Sequence, residues 1–229
     1  MTLQLNDLSE DIKCACAPVG LVEVPVRRGI YRNAAKRAFD LSAVLLSSVI
    51  VVPLIAVLAL LVAFDGQAPF YLSDRVGLRG RTFRMLKLRT MVENADVRLA
   101  EHLKHDAGAL REWNDTQKLK LDPRVTALGR FLRKTSLDEL PQLWNVVVGD
   151  MSLVGPRPMM PSQRAIYPGL SYYGLRPGLT GLWQISDRNE CTFSERANFD
   201  NLYDDRLSFG HDVVILFKTV GAVTRGTGY

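Results

Sequence analysis

The sequence predicts an α+β fold, mainly α: a small membrane-associated domain with an N-terminal membrane helix interrupted by proline, interfacial helices and one short β-hairpin. Three observations carry this reading. Residues 41–64, LSAVLLSSVIVVPLIAVLALLVAF, hold no charged side chain, and roughly 20 apolar residues suffice to span a bilayer as a helix. Residues 68–91 alternate apolar and polar side chains around GLRGR, the period of two strands joined by a glycine-containing turn. Much of the remainder carries apolar residues at helical spacing.

The chain has 229 residues, 47% hydrophobic and 23% charged, which excludes a disordered polymer and fits one domain with an anchor. A net charge of +5 suits phosphates, nucleic acid or an acidic membrane surface. Three cysteines, with Cys14 and Cys16 near the start, make a poor disulfide framework and a poor zinc site, and favour a cytoplasmic setting.

In chain order, residues 1–30 are punctuated by Pro18, Gly20, Pro25 and Gly29 and read as a flexible tail. Residues 32–40, RNAAKRAFD, read as a basic amphipathic lead-in suited to anionic headgroups. In the apolar segment Pro53 orphans the Val49 carbonyl, and Ser47 and Ser48 lie one turn earlier, where they can help satisfy freed backbone groups. Both flanks are basic: Arg32, Lys36 and Arg37 on one side, Arg75, Arg79 and Arg81 on the other. Since Lys and Arg collect on cytoplasmic flanks, a helix broken near Ser48 and Pro53 that enters one leaflet and returns satisfies both ends. A kinked span and a buried soluble helix are the alternatives. The expected organisation is a tail over 1–30, a re-entrant helix over 31–66 and a cytoplasmic domain over 67–229.

Phe70, Leu72 and Val76, then Phe83, Leu86 and Leu88, form the only convincing strand pair. Residues 92–120 are polar and helical with a break expected at Gly108; His102 and His105 on that helix read as solvated surface. A helix restarts at Asp122, an N-cap candidate followed by Pro123 at the first helical position, with Val125, Leu128, Phe131 and Leu132 as its apolar face. The next helix presents Leu140, Leu143, Trp144 and Val147. The C-terminal HDVVILFKTVGAVT is an apolar helix for the core or a membrane.

Asp138 and Glu139 stand side by side in RKTSLDELPQLWNVVVGDMSLVGPRP. Ser136-x-x-Glu139 matches a capping box, and Asp138 can itself cap a helix. The cations around the pair suggest another use. Lys87, Arg89, Arg133, Arg157, Arg176 and Arg188 all sit in apolar-flanked stretches, with Gly178 and Gly181 allowing close backbone approach. A diphosphate with Mg²⁺ accounts for both signs: arginine grips phosphate oxygens, one carboxylate holds the hard cation, and the other can attack phosphorus.

With these residues in view, the chain resembles the monotopic bacterial sugar transferases, polyprenyl-phosphate phosphoglycosyl transferases that begin exopolysaccharide and glycan assembly. The resemblance runs from about Lys36 to the C-terminus, through KRAFD, FRMLKLRTM, DPRVTALGRFLRKTSLDELPQLWNVVVGDMSLVGPRP and RPGLTGLWQISDRNE. In length it is most similar to the short hexose-1-phosphate transferases of the succinoglycan type, without the spanning helices and added domain of larger relatives. It implies that Asp138 attacks the β-phosphate of UDP-galactose or UDP-glucose, releasing UMP, and that undecaprenyl phosphate then takes the sugar phosphate. It implies that Glu139 helps hold Mg²⁺ or the acceptor phosphate, and that Arg133, Arg157 and Arg188, with Lys87 and Arg89 as further candidates, line the phosphate site. The implied setting is the cytoplasmic face of the bacterial inner membrane, in contact with lipid, with downstream glycosyltransferases as possible partners. Asp187 departs from the small residue expected before Arg188 and can pair with it. The rival readings are an anionic-lipid-binding module without catalysis, a hydrolase using Asp138 with water, and a nucleic-acid binder, for which no recognition motif is present.

Overall fold

The computed structural model describes residues 29–64, 66–116, 119, 121–186, 193 and 195–224. The expected tail before residue 29, and both Asp187 and Arg188, lie outside the described residues. The chain folds into two compact units, each assembled from separated stretches. The first takes residues as far as Ser47, Leu72–Met85 and Gln142–Val220; the second takes Ser48–Tyr71, Leu86–Pro141 and the C-terminal end.

Helix α1, Lys36–Ala63, follows a π-helical turn at Tyr31–Ala35. Its 28 residues make it about 42 Å long. The expected break is not seen: the helix is continuous through Pro53. A proline removes one donor and leaves the rest of a long hydrogen-bond ladder in place. Only 11% of its apolar window is buried, with Leu46 and Val49 each 79% exposed. That surface rules out a soluble core helix and fits association with a membrane.

In the first unit, the basic lead-in to α1 differs from expectation. Its cations serve the protein rather than facing outward for headgroups. Asp212 is fully buried and accepts from Lys36 Nζ at 2.5 Å, Tyr31 Oη at 2.6 Å and Tyr203 Oη at 2.7 Å. Arg32 pairs with Asp204 at 2.6 Å, and the Arg37 guanidinium donates to the Val146 and Val147 carbonyls. Asp40 accepts from Ser152 Oγ at 2.7 Å and the Leu153 amide at 3.2 Å. A buried carboxylate is tolerated only when paired and hydrogen-bonded, and these contacts meet that condition.

Strands β1 (Phe70–Val76) and β2 (Thr82–Leu88) pair as expected. A turn at Leu78–Gly80 joins them, with Arg79 and Gly80 at positive φ. Helices α2 (Ala95–His105) and α3 (Ala107–Thr116) follow. The break between them falls at Asp106, not Gly108, because the Asp106 carboxylate accepts from the Gly108 and Ala109 amides at 2.8 and 2.9 Å. Helix α4 (Ala127–Lys134) starts at Thr126, whose side chain accepts from the Gly129 amide at 2.9 Å. Asp122 is not the cap; its carboxylate is taken by Arg124, Nη2 at 2.7 Å and Nε at 2.9 Å. A 3₁₀ turn, Leu137–Gln142, leads into α5, Leu143–Val148.

The expected apolar face of this helix is split: Leu140 and Leu143 are half-buried, with Leu143 against the core, while Trp144 and Val147 lie outside. Asn145 and Val146 are buried, whereas Trp144, Val147 and Val148 are exposed. Asn145 turns the helix: its Nδ2 donates to the Arg84 carbonyl at 2.9 Å, and its carbonyl accepts the amides of Gly149, Asp150 and Met151. A second sheet also stands beside the expected hairpin. Strands β3 (Ser152–Val154) and β4 (Gly178–Thr180) run parallel, with Ser152 opposite Gly178 and Val154 opposite Thr180. Helices α6 (Leu182–Ile185), α7 (Arg196–Asp205) and α8 (Phe209–Thr224) complete the chain. The first unit's core gathers Val44, Phe83, Met85, Val146, Met151, Val154, Tyr203 and Ile215. The second unit packs Leu58 and Val62 of α1 against Leu88 and Leu132.

Replacing Lys36 by Met strands the Asp212 carboxylate in the core. Such a loss of one partner costs about 3–5 kcal/mol, so thermal unfolding of Lys36→Met in detergent is expected well below that of the parent. A melting point within about 1 °C of the parent would show that the pair is not a structural support.

Candidate active site

The second unit assembles the acid pair and three of the expected cations from two neighbouring stretches. Strand β2 runs into Lys87, Arg89 and Thr90, and the chain then makes a bridge between Met91 and Val125. Next to that bridge the Thr126 amide donates to the Thr90 carbonyl at 3.1 Å. Gly129 lets the first turn of α4 press onto the same carbonyl; a Cβ there would lie 2.1 Å from the Thr90 oxygen. At the far end of α4, Ser136 adopts a positive φ of 56°, an uncommon conformation for a residue with a side chain. The turn it makes starts the 3₁₀ segment that carries Asp138 and Glu139.

Lys87 Nζ donates to Glu139 Oε1 at 2.7 Å and lies 3.8 Å from Asp138 Oδ2. Asp138 is buried. Arg133 Nε donates to Thr90 Oγ1 at 2.9 Å, and its charge acts on Asp138 without a direct bond. Burial pushes the Asp138 carboxyl above the usual carboxylate range. Lys87 opposes that shift, the Glu139 charge adds to it, and Arg133 opposes it. The Asp138 backbone amide also opposes it, so the result is a desolvated carboxyl served by its own amide and flanked by cations. Burial alone would hold such a carboxyl protonated, and the Lys87 and Arg133 charges favour the ionised form that could act as a nucleophile. The Glu139 amide donates to the Ser136 carbonyl, while the Glu139 carboxylate serves Lys87.

Arg89 is differently placed. Its Nε donates to the Ala68 carbonyl at 2.9 Å and its Nη2 to the Val62 carbonyl at 3.0 Å, so it closes the C-terminal end of α1. For Mg²⁺ the donor set is two adjacent carboxylates. That fits a hard cation which keeps several waters and takes one or two carboxylates plus substrate phosphate. Among the described residues no group of three or more His, Cys, Asp or Glu side chains converges as a self-sufficient metal cage.

Arg157 belongs to the first unit. There the GPRP and RPGLTG stretches meet across β3 and β4 by glycine contact: a Cβ on Gly178 would lie 2.1 Å from the Gly155 nitrogen, and one on Gly181 2.1 Å from the Gly155 oxygen. The Arg157 guanidinium lies over the ring of Trp183. Arg176 gives Nε to the Gly149 carbonyl at 2.9 Å. Sequence reasoning missed Thr90, Trp183 and Arg196. Trp183 sat in a stretch read for its arginines and glycines, and nothing local marks a threonine as the rest of an arginine 43 residues away.

A family model described as bacterial sugar transferase matches residues 31–226. A UDP-galactose-lipid carrier transferase of Erwinia amylovora is 48% identical over 195 residues, 84% of this chain and 41% of that protein. The exopolysaccharide production protein ExoY of Sinorhizobium fredii is 44% identical over 211 residues, 90% of this chain and 93% of that protein. An undecaprenyl-phosphate galactose phosphotransferase of Salmonella typhimurium is 46% identical over 195 residues, again 84% of this chain and 41% of that protein. The chain therefore spans less than half the length of two of these relatives and nearly all of the third.

Because burial raises the Asp138 carboxyl, the folded state favours its protonated form. Its stabilising effect is complete below the unfolded value and is lost as pH rises through the folded one. Asp138→Asn, which cannot ionise, is expected to melt about 2–4 °C above the parent at pH 7 and to lose that margin toward pH 4. A margin that instead grows on acidification would contradict the assignment of Asp138 as a desolvated acid.

Proposed function

The chain belongs to the bacterial sugar transferase family, and from that premise we propose that it transfers hexose 1-phosphate from a UDP-sugar to undecaprenyl phosphate. The donor is UDP-galactose or UDP-glucose, and the reaction is the first membrane step of exopolysaccharide synthesis. The observation that carries this reading is the buried Asp138, held between Lys87 and Arg133 and next to Glu139.

In the first step a carboxylate oxygen of Asp138 attacks the β-phosphorus of the donor. The bond to the bridging oxygen breaks, UMP leaves with that electron pair, and a sugar-phosphoryl aspartate remains. In the second step an oxygen of undecaprenyl phosphate attacks the same phosphorus. The acyl-phosphate bond breaks, Asp138 is regenerated, and undecaprenyl-diphosphate-hexose departs. Two displacements let a soluble donor and an insoluble acceptor use one carboxylate in turn. Lys87 and Arg133 stabilise the ionised Asp138 against its desolvation and offset charge that develops on the phosphoryl oxygens. Asp138 and Glu139 are the residues that would hold Mg²⁺, which when bound supplies charge neutralisation on the phosphates. Arg157 and Arg188 remain proposed phosphate ligands on the strength of the family motifs.

The setting we propose is monotopic, on the cytoplasmic face of the inner membrane. The uncovered apolar surface of α1 supports contact with lipid; the basic residues on both of its flanks favour keeping both ends on one face, which the unbroken helix described above would have to bend to achieve. Exposed Trp144, Val147, Phe217 and Val220 would lie against lipid.

The test incubates detergent-solubilised protein with Mg²⁺, undecaprenyl phosphate and UDP-galactose or UDP-glucose, and follows UMP. The expected outcome is UMP release with one donor, a lipid-linked product, and a loss of about 10³-fold or more in Asp138→Asn. Full activity in that variant would return Asp138 to a structural role and favour a lipid-binding module over an enzyme.

A further inference from the structure

The proposed reaction gives Arg157 a phosphate to bind but gives no task to the two side chains packed against it. Arg157 and Arg196 share the ring of Trp183, their guanidinium carbons 5.6 and 5.1 Å from its centroid. Arg196 also lies 4.8 Å from the Phe193 centroid. Arg196 is buried, and its Nη2 donates to the Arg157 carbonyl at 2.7 Å. One side chain therefore holds the backbone of Arg157 and braces the platform under its side chain.

The electrostatics are costly. Burial, and to a lesser degree the Arg157 charge, works against the charge of Arg196. Neither guanidinium has a carboxylate at ion-pair distance among the described residues. Asp200 helps Arg196 only through its field, because its carboxylate accepts the Tyr167 hydroxyl at 2.6 Å. Arg157 itself donates no hydrogen bond to any described residue. A guanidinium held over an aromatic ring, with its donors unspent, has already lost part of the rotamer freedom that binding would otherwise remove. An indole that carries two guanidiniums serves as a platform for them and not for a nucleobase.

We propose that Trp183 and Arg196 are positioning residues that hold the guanidinium fork of Arg157 for a phosphate group of one of the two substrates. This rests on the transferase reading. The phosphate has two sources, the nucleotide sugar and the polyprenyl phosphate, and the experiment separates them.

Initial rates of Trp183→Leu and Trp183→Phe are measured in detergent while each substrate is varied in turn. Trp183→Leu is expected to raise KM about tenfold for one substrate, with kcat changed less than about threefold, as loss of a half-buried cation–π contact implies. A rise for the UDP-sugar assigns Arg157 to the donor; a rise for undecaprenyl phosphate assigns it to the acceptor. Trp183→Phe keeps an aromatic face and deletes an indole N–H that has no acceptor among the described residues, so its KM is expected to rise only about twofold. Arg157→Ala should reproduce the Leu effect, and the double variant should be no worse than either single one. Unchanged KM for both substrates, a fall in kcat alone, or equal damage from Phe and Leu would each overturn the proposal. Should Trp183→Leu not fold, Arg196→Lys tests the same brace and is expected to raise the same KM. Binding of inorganic diphosphate by calorimetry is run on the same proteins. If no sugar transfer occurs in the parent, the transferase reading fails, and the brace then stands or falls on whether diphosphate binding weakens in Trp183→Leu.

Discussion

The contact on which the first unit depends is the one between Asp212 and the start of α1. A carboxylate with no exposure to water is among the costliest groups a fold can hold. Here it is matched by one ammonium and two phenol hydroxyls from three separate stretches. Those donors tie the turn at Tyr31, the first turn of α1 and helix α7 to helix α8. Four residues beyond Lys36, Asp40 secures β3. The KRAFD stretch is thus a fastening: both of its charged ends and its arginine are engaged by protein, and the apolar run begins only after the helix has been tied down.

The second unit uses the opposite device. There a carboxylate is buried and left poorly served. Asp138 stands 3.8 Å from the Lys87 ammonium, which makes its short contact with Glu139 instead. On the proposed reaction, the difference between Asp212 and Asp138 is the difference between a structural and a reactive acid. The first has its lone pairs occupied by donors at 2.5–2.7 Å, while the second has its nearest side-chain cation at 3.8 Å. The positive φ at Ser136 is the local conformational cost of holding it there.

Much of this was legible in the chain itself. The hairpin announced itself by alternation and a glycine turn, and the acid pair by its setting among cations. The failures have separate physical causes. Strands of three residues show no period, so β3 and β4 could be read only through the glycines that let their loops touch. Asp122 looked like a helix start but found a better partner two residues away in Arg124. The outward face of α5 was misjudged because Asn145, a polar residue, buys its burial with a long-range bond to Arg84. Arg89 lies in a basic stretch like Lys87, yet it closes a helix end; no spacing rule tells a carbonyl-binding arginine from a phosphate-binding one.

Helix α1 lends Val44 to the core of one unit and Leu58 and Val62 to the core of the other. A membrane anchor is usually pictured as a detachable module that can be trimmed for solubility or traded between proteins. This one cannot be handled that way. Cutting before residue 64 would open both interiors at once, and grafting another hydrophobic helix would have to reproduce two unrelated packing patterns along a single rod. Sequence drift in α1 is therefore constrained by folding, and a form with less exposed apolar surface is better sought by redesigning its exposed face than by deletion.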